Sequence, residues 1–370
     1  MRARTRGPLF KRSAHVVCYW KEGRLVFENY ATRARLTADP LTCEVLDFFD
    51  EWQPVESLAE RLTRFSLKSL RQAVRDLAEQ SLLERSDRPR AVERLVSTWG
   101  HWNPHAGFLH FSTKDLPYAT VDVANQELQE KARSEPPPPP VPRRRRTTRV
   151  RLPAVAAEEP FPRVLLARRT WRRFGSAPVS LDQVARLLGL TWGVQGWMDT
   201  GFQGRVPLKT SPSGGARHPI EVYVLARQVT GLAPGLYHYE ADRHQLGLVK
   251  KGATSRQLAS YLPTQWWYGE AAALFLMTAV VGRSRWRYDF PRGYRAVLAE
   301  AGHLCQTFLL VATWLGLAPF CSMALADSRI EHDVGADGAS ECALYAAGVG
   351  TRPAGVTWAP RPPDRRPRRI

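Results

Sequence analysis

This 370-residue chain has few cysteines, neither of the common phosphate-cradling glycine spacings, and a shortage of acidic side chains, with 35 Asp and Glu against 53 Lys and Arg. Each lack removes a class of function. Cys18, Cys43, Cys305, Cys321 and Cys342 are odd in number and scattered, with no CxxC pair. They imply neither a disulfide framework nor a zinc site, and the set reads as reduced, mostly packed thiols of a cytoplasmic protein. The spacings GxxxxGKS/T and GxGxxG are both absent, which withdraws support from nucleoside triphosphate and Rossmann dinucleotide binding. The basic N-terminus is not followed by the sustained apolar stretch of a secretory signal. No segment is expected to cross a membrane, Ala271–Val281 reading as a buried strand.

The net charge of +18 suggests nucleic acid until it is located. Residues 1–12 carry +5, residues 143–151 carry +6 and residues 361–370 carry +4, so 15 of the 18 charges sit in tails and a linker. A folded nucleic-acid footprint places its charge on one face of a domain, so nucleic acid is not the expected partner. Basic arms of this kind suit an acidic peptide, RNA or an anionic surface, and salt weakens all three.

Ser134–Arg146, SEPPPPPVPRRRR, is the clearest boundary, because five consecutive prolines fit no helix or sheet interior and favour extended geometry. Upstream, Leu36–Arg85 predicts three short helices with a tail. Leu41, Val45, Leu46 and Phe49 form one apolar stripe, Val55, Leu58, Ala59 and Leu62 a second, and Leu67, Leu70, Val74 and Leu77 a third. This order resembles a winged-helix module and also the small peptide-recognition domain of ribosomal-peptide maturation enzymes. Trp99–Asp115 follows, with His101, His105 and His110 among tryptophans. No carboxylate or cysteine completes a metal spacing there, so no metal is assigned and the segment reads as a packed connector.

Downstream, Leu181–Leu190 predicts a helix capped by Ser180 with Gln183 three residues on. Pro219–Ala226 predicts a strand, Gly235–Val249 a hairpin around an ADRH turn, and Leu298–Leu315 a long helix with one apolar face. Together these predict an α+β domain. Between them lies TSPSGGARHP, residues 210–219. Thr210, Ser211 and Ser213 offer hydroxyls beside Pro212, and Gly214 and Gly215 permit positive φ or close backbone approach. The loop reads either as a cradle for a flat polar ligand or as an ordinary glycine-rich turn before a strand.

This loop resembles the signature of the nitroreductase-like flavoproteins, and specifically the azoline oxidases, or SagB type, of thiazole and oxazole peptide maturation. Three further segments resemble the same family in order: Arg168–Phe174 (RRTWRRF), Arg285–Leu317 and Tyr345–Pro353 (YAAGVGTRP). The resemblance covers roughly residues 160–355 and implies a central, mostly antiparallel sheet flanked by helices, with flavin mononucleotide (FMN) as cofactor. It assigns Arg168, Arg169, Thr170, Ser211, Pro212, Ser213, Gly214, Gly215 and Arg352 to the cofactor. Guanidinium forks suit a phosphate and the flavin edge where charge accumulates on reduction. The family's catalytic lysine and tyrosine pair is here Arg287 and Tyr288. An arginine provides a positive field and never the base, so the expected base is Tyr288. Phe320–Asp327 lacks the glycines that related flavoproteins carry at that turn.

The resulting organisation is a winged-helix-like peptide-recognition domain at 1–95, an aromatic and histidine connector at 96–133, a Pro/Arg linker at 134–152, the flavin domain at 153–358 and a basic tail at 359–370. The function implied is oxidation of thiazolines or oxazolines to azoles by a cytoplasmic homodimer, with a precursor peptide as substrate and a cyclodehydratase as partner. Two alternatives are a general NAD(P)H-dependent nitro or quinone reductase and a winged-helix nucleic-acid binder with a non-catalytic second half.

Overall fold

A computed structural model of the chain describes residues 7–115, 117–134, 159–200 and 205–355. The basic N-terminal arm through Arg6, nearly all of the Pro/Arg linker and the tail lie outside the described residues. Two compact units share the chain. The first takes residues 1–114 with 280–297 and 336–342, and the second takes 115–279, 298–335 and 343–370.

In chain order the first unit opens with β1 (Phe10–Arg12), β2 (Val16–Lys21), β3 (Arg24–Asn29) and β4 (Ala34–Thr37), followed by α1 (Pro40–Phe48), α2 (Val55–Arg61), α3 (Leu67–Glu79) and β5 (Leu83–Arg85). Strands β2, β3 and β4 form an antiparallel meander, while β5 returns antiparallel to β1. The β2–β3 turn has positive φ at both Glu22 and Gly23, the left-handed pair that matches strand twist in a two-residue hairpin. The three predicted helices are present. Asp39 and Ser66 cap α1 and α3 by accepting from the Thr42 and Ser69 amides, and the apolar stripes close one core of Val45, Leu46, Phe49, Leu58, Leu70, Val74 and Leu82.

Helices α4 (Ala91–Ser97) and α5 (His105–Ser112) carry the connector, which is packed as expected. Trp99 and Trp102 are fully buried, and Trp99 lies against Trp102, His110, Phe111 and Tyr294 at 5.0–5.6 Å between ring centroids. His110 Nδ1 pairs with the Tyr294 hydroxyl at 2.7 Å, and burial holds the imidazole neutral, pulling its pKa down to about 3. His101 is instead an exposed partner of Asp289.

The chain continues through α6 (Val121–Ser134), α7 (Pro160–Ala167), β6 (Val179–Ser180), α8 (Leu181–Thr191), β7 (Gly196–Asp199), β8 (Arg205–Leu208), β9 (Ile220–Ala226), β10 (Val229–Thr230), β11 (Gly235–Glu240), β12 (Gln245–Lys251), α9 (Ser255–Tyr261) and β13 (Ala273–Val280). Then come α10 (Val281–Arg287), α11 (Gly293–Trp314), β14 (Ala318–Ser322), α12 (Asp327–Val334) and β15 (Glu341–Gly350). One six-stranded sheet has the order β12-β11-β9-β13-β15-β14, and the pairs β12–β11, β11–β9, β9–β13 and β14–β15 are antiparallel. This is the expected α+β architecture. The predicted capping box on α8 is complete, Ser180 accepting from the Gln183 amide while the Gln183 side chain accepts from the Ser180 amide.

Sheet and helices meet at Trp192, Phe275 and Phe308, the first two rings stacked at 6.0 Å and 5°. The small residues of β15 have a steric reason, since a Cβ at Gly348 would collide with the Phe320 ring and one at Gly350 with Phe174. The expectation about membrane segments needs correction. Residues 301–326 contain no Asp, Glu, Lys or Arg, and α11 is by length and composition able to cross a membrane. Leu304, Cys305, Phe308 and Ala312 are nevertheless at most 2% exposed, as in the core helix of a globular unit.

Candidate flavin site

The hydroxyl-and-glycine loop is folded onto helix α11. Ser211 is buried, and its Oγ shares a 2.8 Å hydrogen bond with Thr307 Oγ1. Thr210 Oγ1 donates to the Leu190 carbonyl at the end of α8. Ser213 Oγ accepts the His218 amide at 2.9 Å, which leaves the Ser213 hydroxyl proton available to a ligand. Residues 214–216 make one tight turn in which Gly215 has φ +58°. The Gly214 and Gly215 amides meet no acceptor among the described residues. Adjacent free N–H groups of this kind form a concavity for anions and electron-rich oxygens.

The arginine segment is not a helix. Arg168 ends α7, and residues 168–175 are irregular with a bend at Arg172, the Trp171 amide donating to Pro319 on β14 and the Gly175 amide to Thr351 just beyond β15. Arg168 is half-buried, and its guanidinium has no hydrogen-bond partner among the described residues; its charge acts on Cys321. Arg169 is exposed and turns back to the Leu166 carbonyl, and Thr170 is exposed.

Arg352 Nε donates to Leu317 O at 3.1 Å and Nη2 to Thr313 O at 3.4 Å, with the guanidinium 5.6 Å from the Trp171 ring centroid. A cation on these carbonyls complements the negative end of the α11 dipole, and three of its five N–H donors remain. Loop and arginine therefore rest on one helix, at Thr307 and Thr313, about 9 Å apart along its axis. Arg168 lies near Cys321 of β14.

Arg287 and Tyr288 lie in the first unit, at the end of α10. Trp102 Nε1 donates to the Tyr288 carbonyl at 2.9 Å, and the half-buried Tyr288 ring meets Phe290 edge-on. Neither the Tyr288 hydroxyl nor the exposed Arg287 guanidinium has a partner among the described residues.

Sequence reasoning missed three contributors. Thr307 is a polar residue among the apolar positions of α11. Glu300 faces buried His218 at 3.6 Å, a contact between distant parts of the chain, while His303 is exposed. Trp171, beneath Arg352, had no signal beyond its aromatic character.

The residues present can be tested against a flavin nucleotide. Free amides, a serine hydroxyl and unspent guanidinium forks are all donors, collected along one helix, which fits a ligand whose phosphate and ring edge are acceptors.

Residues 165–351 match the family model described as the nitroreductase family. The chain belongs to the nitroreductase family. It is accordingly an FMN-type oxidoreductase in this segment, and FMN is its cofactor. The chain is 32% identical over 186 residues to a nitroreductase-type protein of Methanocaldococcus jannaschii, covering 50% of this chain and 89% of that one. It is also 32% identical over 173 residues to the trifolitoxin-processing protein TfxB of Rhizobium leguminosarum bv. trifolii, covering 45% of this chain and 46% of TfxB, so the chain spans less than half of that relative. Among solved structures, a chain of the E. coli microcin synthetase McbBCD complex with truncated pro-MccB17 matches at 20% identity and a TM-score of 0.44, over 64% of this chain and 84% of the other.

Proposed function

We propose that this nitroreductase is a dehydrogenase of ribosomal-peptide maturation that oxidises azolines to azoles in the cytoplasm. The observation that carries the reading is the additional core built by the N-terminal residues. The M. jannaschii relative is nearly all nitroreductase segment, whereas half of this chain lies outside the match, and its N-terminal residues build a separate core. A small-molecule reductase has no evident use for that unit, while an enzyme acting on a peptide gains a place to hold it. The trifolitoxin-processing relative supports the same reading.

The first unit offers such a place. A cavity of about 600 Å³ has Phe10 and Val55 on its wall and Arg71, Arg75 and Arg85 around it, against one acid, Glu56. That balance favours an acidic, partly apolar segment of a precursor peptide, with a cyclodehydratase as the enzyme that supplies the azoline. In the second unit, Phe161, Leu190 and Trp314 are 65%, 39% and 55% exposed around an apolar groove that borders the Thr210 contact with Leu190. An apolar surface of this kind favours a homodimer. Light scattering should then give twice the 41.7 kDa chain mass, and a monomer that binds FMN at full strength would remove the dimer from the proposal.

Bound FMN supplies the two-electron acceptor, and the chain's own residues bind, orient and move the proton. Tyr288, next to Arg287 in the chain, is the group assigned to take the proton from substrate carbon. The deciding experiment incubates the FMN-loaded protein with an azoline-containing peptide in the absence of nicotinamide. Loss of two hydrogens from the peptide, with bleaching of the flavin under anaerobic conditions, is expected. Flavin reduction by NADPH with the peptide unchanged would assign the chain as a general nitro or quinone reductase instead.

A further inference from the structure

The hydroxyl-and-glycine loop is strained, and two buried side chains stand where that strain has to be held. Ala216 and His218 have φ of +53° and +43°, the left-handed region that residues with a Cβ rarely enter, and they follow Gly215 at +58°. Such backbone persists only where its surroundings fix it. The Ala216 amide donates to the Ser213 carbonyl at 3.1 Å and the Arg217 amide to the Gly214 carbonyl at 3.3 Å, which closes the turn ahead of His218. His218 itself is met from α11. Its Nδ1 lies 3.6 Å from Glu300 Oε1, and the two residues are 6% and 3% exposed. Glu300 Oε1 accepts no hydrogen bond among the described residues. A carboxylate so deeply buried is costly to leave unaccompanied, and the His218 imidazole faces it. Glu300 also stands seven residues, two helical turns, before Thr307, so both ends of the loop rest on one face of α11, Ser211 on Thr307 at 2.8 Å and His218 against Glu300. Between these anchors lie the Ser213 hydroxyl and the Gly214 and Gly215 amides assigned to FMN. The His218 amide, donating to Ser213 Oγ at 2.9 Å, ties one anchor to the first of those donors.

We propose that Glu300 and His218 are positioning residues for the cofactor. The Glu300 carboxylate seats the buried His218 ring, the seated ring keeps Ala216 and His218 left-handed, and that backbone presents Ser213, Gly214 and Gly215 to FMN as a preformed set of donors. Neither side chain touches the flavin in this role. Without the carboxylate the loop relaxes to unstrained backbone, FMN must reorder it on binding, and affinity falls by the fraction of molecules that keep the cradle. The inference rests on the assignment of this loop to FMN and not on which substrate the enzyme oxidises.

The test measures the FMN dissociation constant of the full chain by quenching of flavin fluorescence, with the midpoint potential of the bound flavin read in parallel. Glu300→Gln keeps the shape and removes the charge, and should raise Kd about tenfold. The potential should stay at the wild-type value, because reordering the loop costs the same for oxidised and reduced FMN. Adding Ala216→Gly to that variant should recover about threefold of the loss, since glycine takes the left-handed conformation without help. His218→Ala should lose as much affinity as Glu300→Gln, and His218→Asn less, because asparagine tolerates positive φ; the reverse order overturns the proposal even if Glu300→Gln does not fold. Ser213→Ala is the control for the cradle. An unchanged Kd in Glu300→Gln beside weakened binding in Ser213→Ala overturns the positioning role and leaves the cradle, whereas an unchanged Kd in both removes the cradle and the positioning role with it. A shifted potential in Glu300→Gln would also overturn the proposal, by placing that carboxylate in contact with the flavin.

Discussion

Tyr288→Phe is expected to lower kcat for azoline oxidation by about 10²- to 10⁴-fold, the range over which a positioned acid or base contributes, while FMN stays bound. The substitution removes one oxygen. The ring contact with Phe290 and the Trp102 bond to the backbone carbonyl do not involve that oxygen, so folding stability should hold. The segment is also held in place, because a Cβ at Gly293 would press on Tyr288 Cβ at 2.9 Å and on Trp102 at 3.0 Å. A well-seated hydroxyl without a protein partner is free to face substrate. Arg287→Lys keeps the positive field and restores the pairing that the family resemblance implies, so it should retain most activity, whereas Arg287→Ala should lose part of it. In a pH profile of kcat/KM, the limb belonging to the base should vanish in Tyr288→Phe. A phenylalanine variant with the wild-type rate and profile would place the base elsewhere.

The parts of this fold that were legible in the sequence are those decided within a few residues. Ser180 and Gln183 signal a helix start because cap and partner lie one turn apart, and the ADRH segment signals a hairpin because its turn, with φ +51° at His244, joins adjacent strands. The β2–β3 hairpin has an equally local signal, Glu22-Gly23 between apolar stretches. The site divides in the same way. Its donors were visible as residue types, but their placement depends on contacts far apart in the chain: Ser211 with Thr307, Glu300 with His218, and Arg352 with the Thr313 and Leu317 carbonyls. Glu300 and His303 stand at i, i+3 spacing, yet packing separates their surroundings, because Glu300 lies on the buried side of α11 and His303 on the exposed side.

Arg168 and Arg352 should respond differently to removal, and the contrast isolates the cofactor's share of their role. A hydrogen bond to a charged group contributes about 1.5–3 kcal/mol, so Arg168→Ala is expected to weaken FMN binding by about 10- to 100-fold. Its guanidinium holds no carbonyl, so the FMN-free protein should melt within about 0.5 kcal/mol of wild type, as surface changes do. Arg352 also binds Thr313 and Leu317 carbonyls and covers Trp171, so Arg352→Ala should lose FMN affinity and destabilise the FMN-free protein as well. Arg352→Lys keeps the charge but cannot reproduce a planar fork over an indole, and should fall between. Thermal melts with and without FMN read both quantities, since FMN at a hundredfold excess over its Kd adds about 2.7 kcal/mol to any variant that still binds it. If Arg168→Ala keeps the full FMN-dependent rise, the phosphate is held by other groups. If Arg352→Ala loses stability alone, that arginine is a helix cap and the cradle ends at the Ser213 turn.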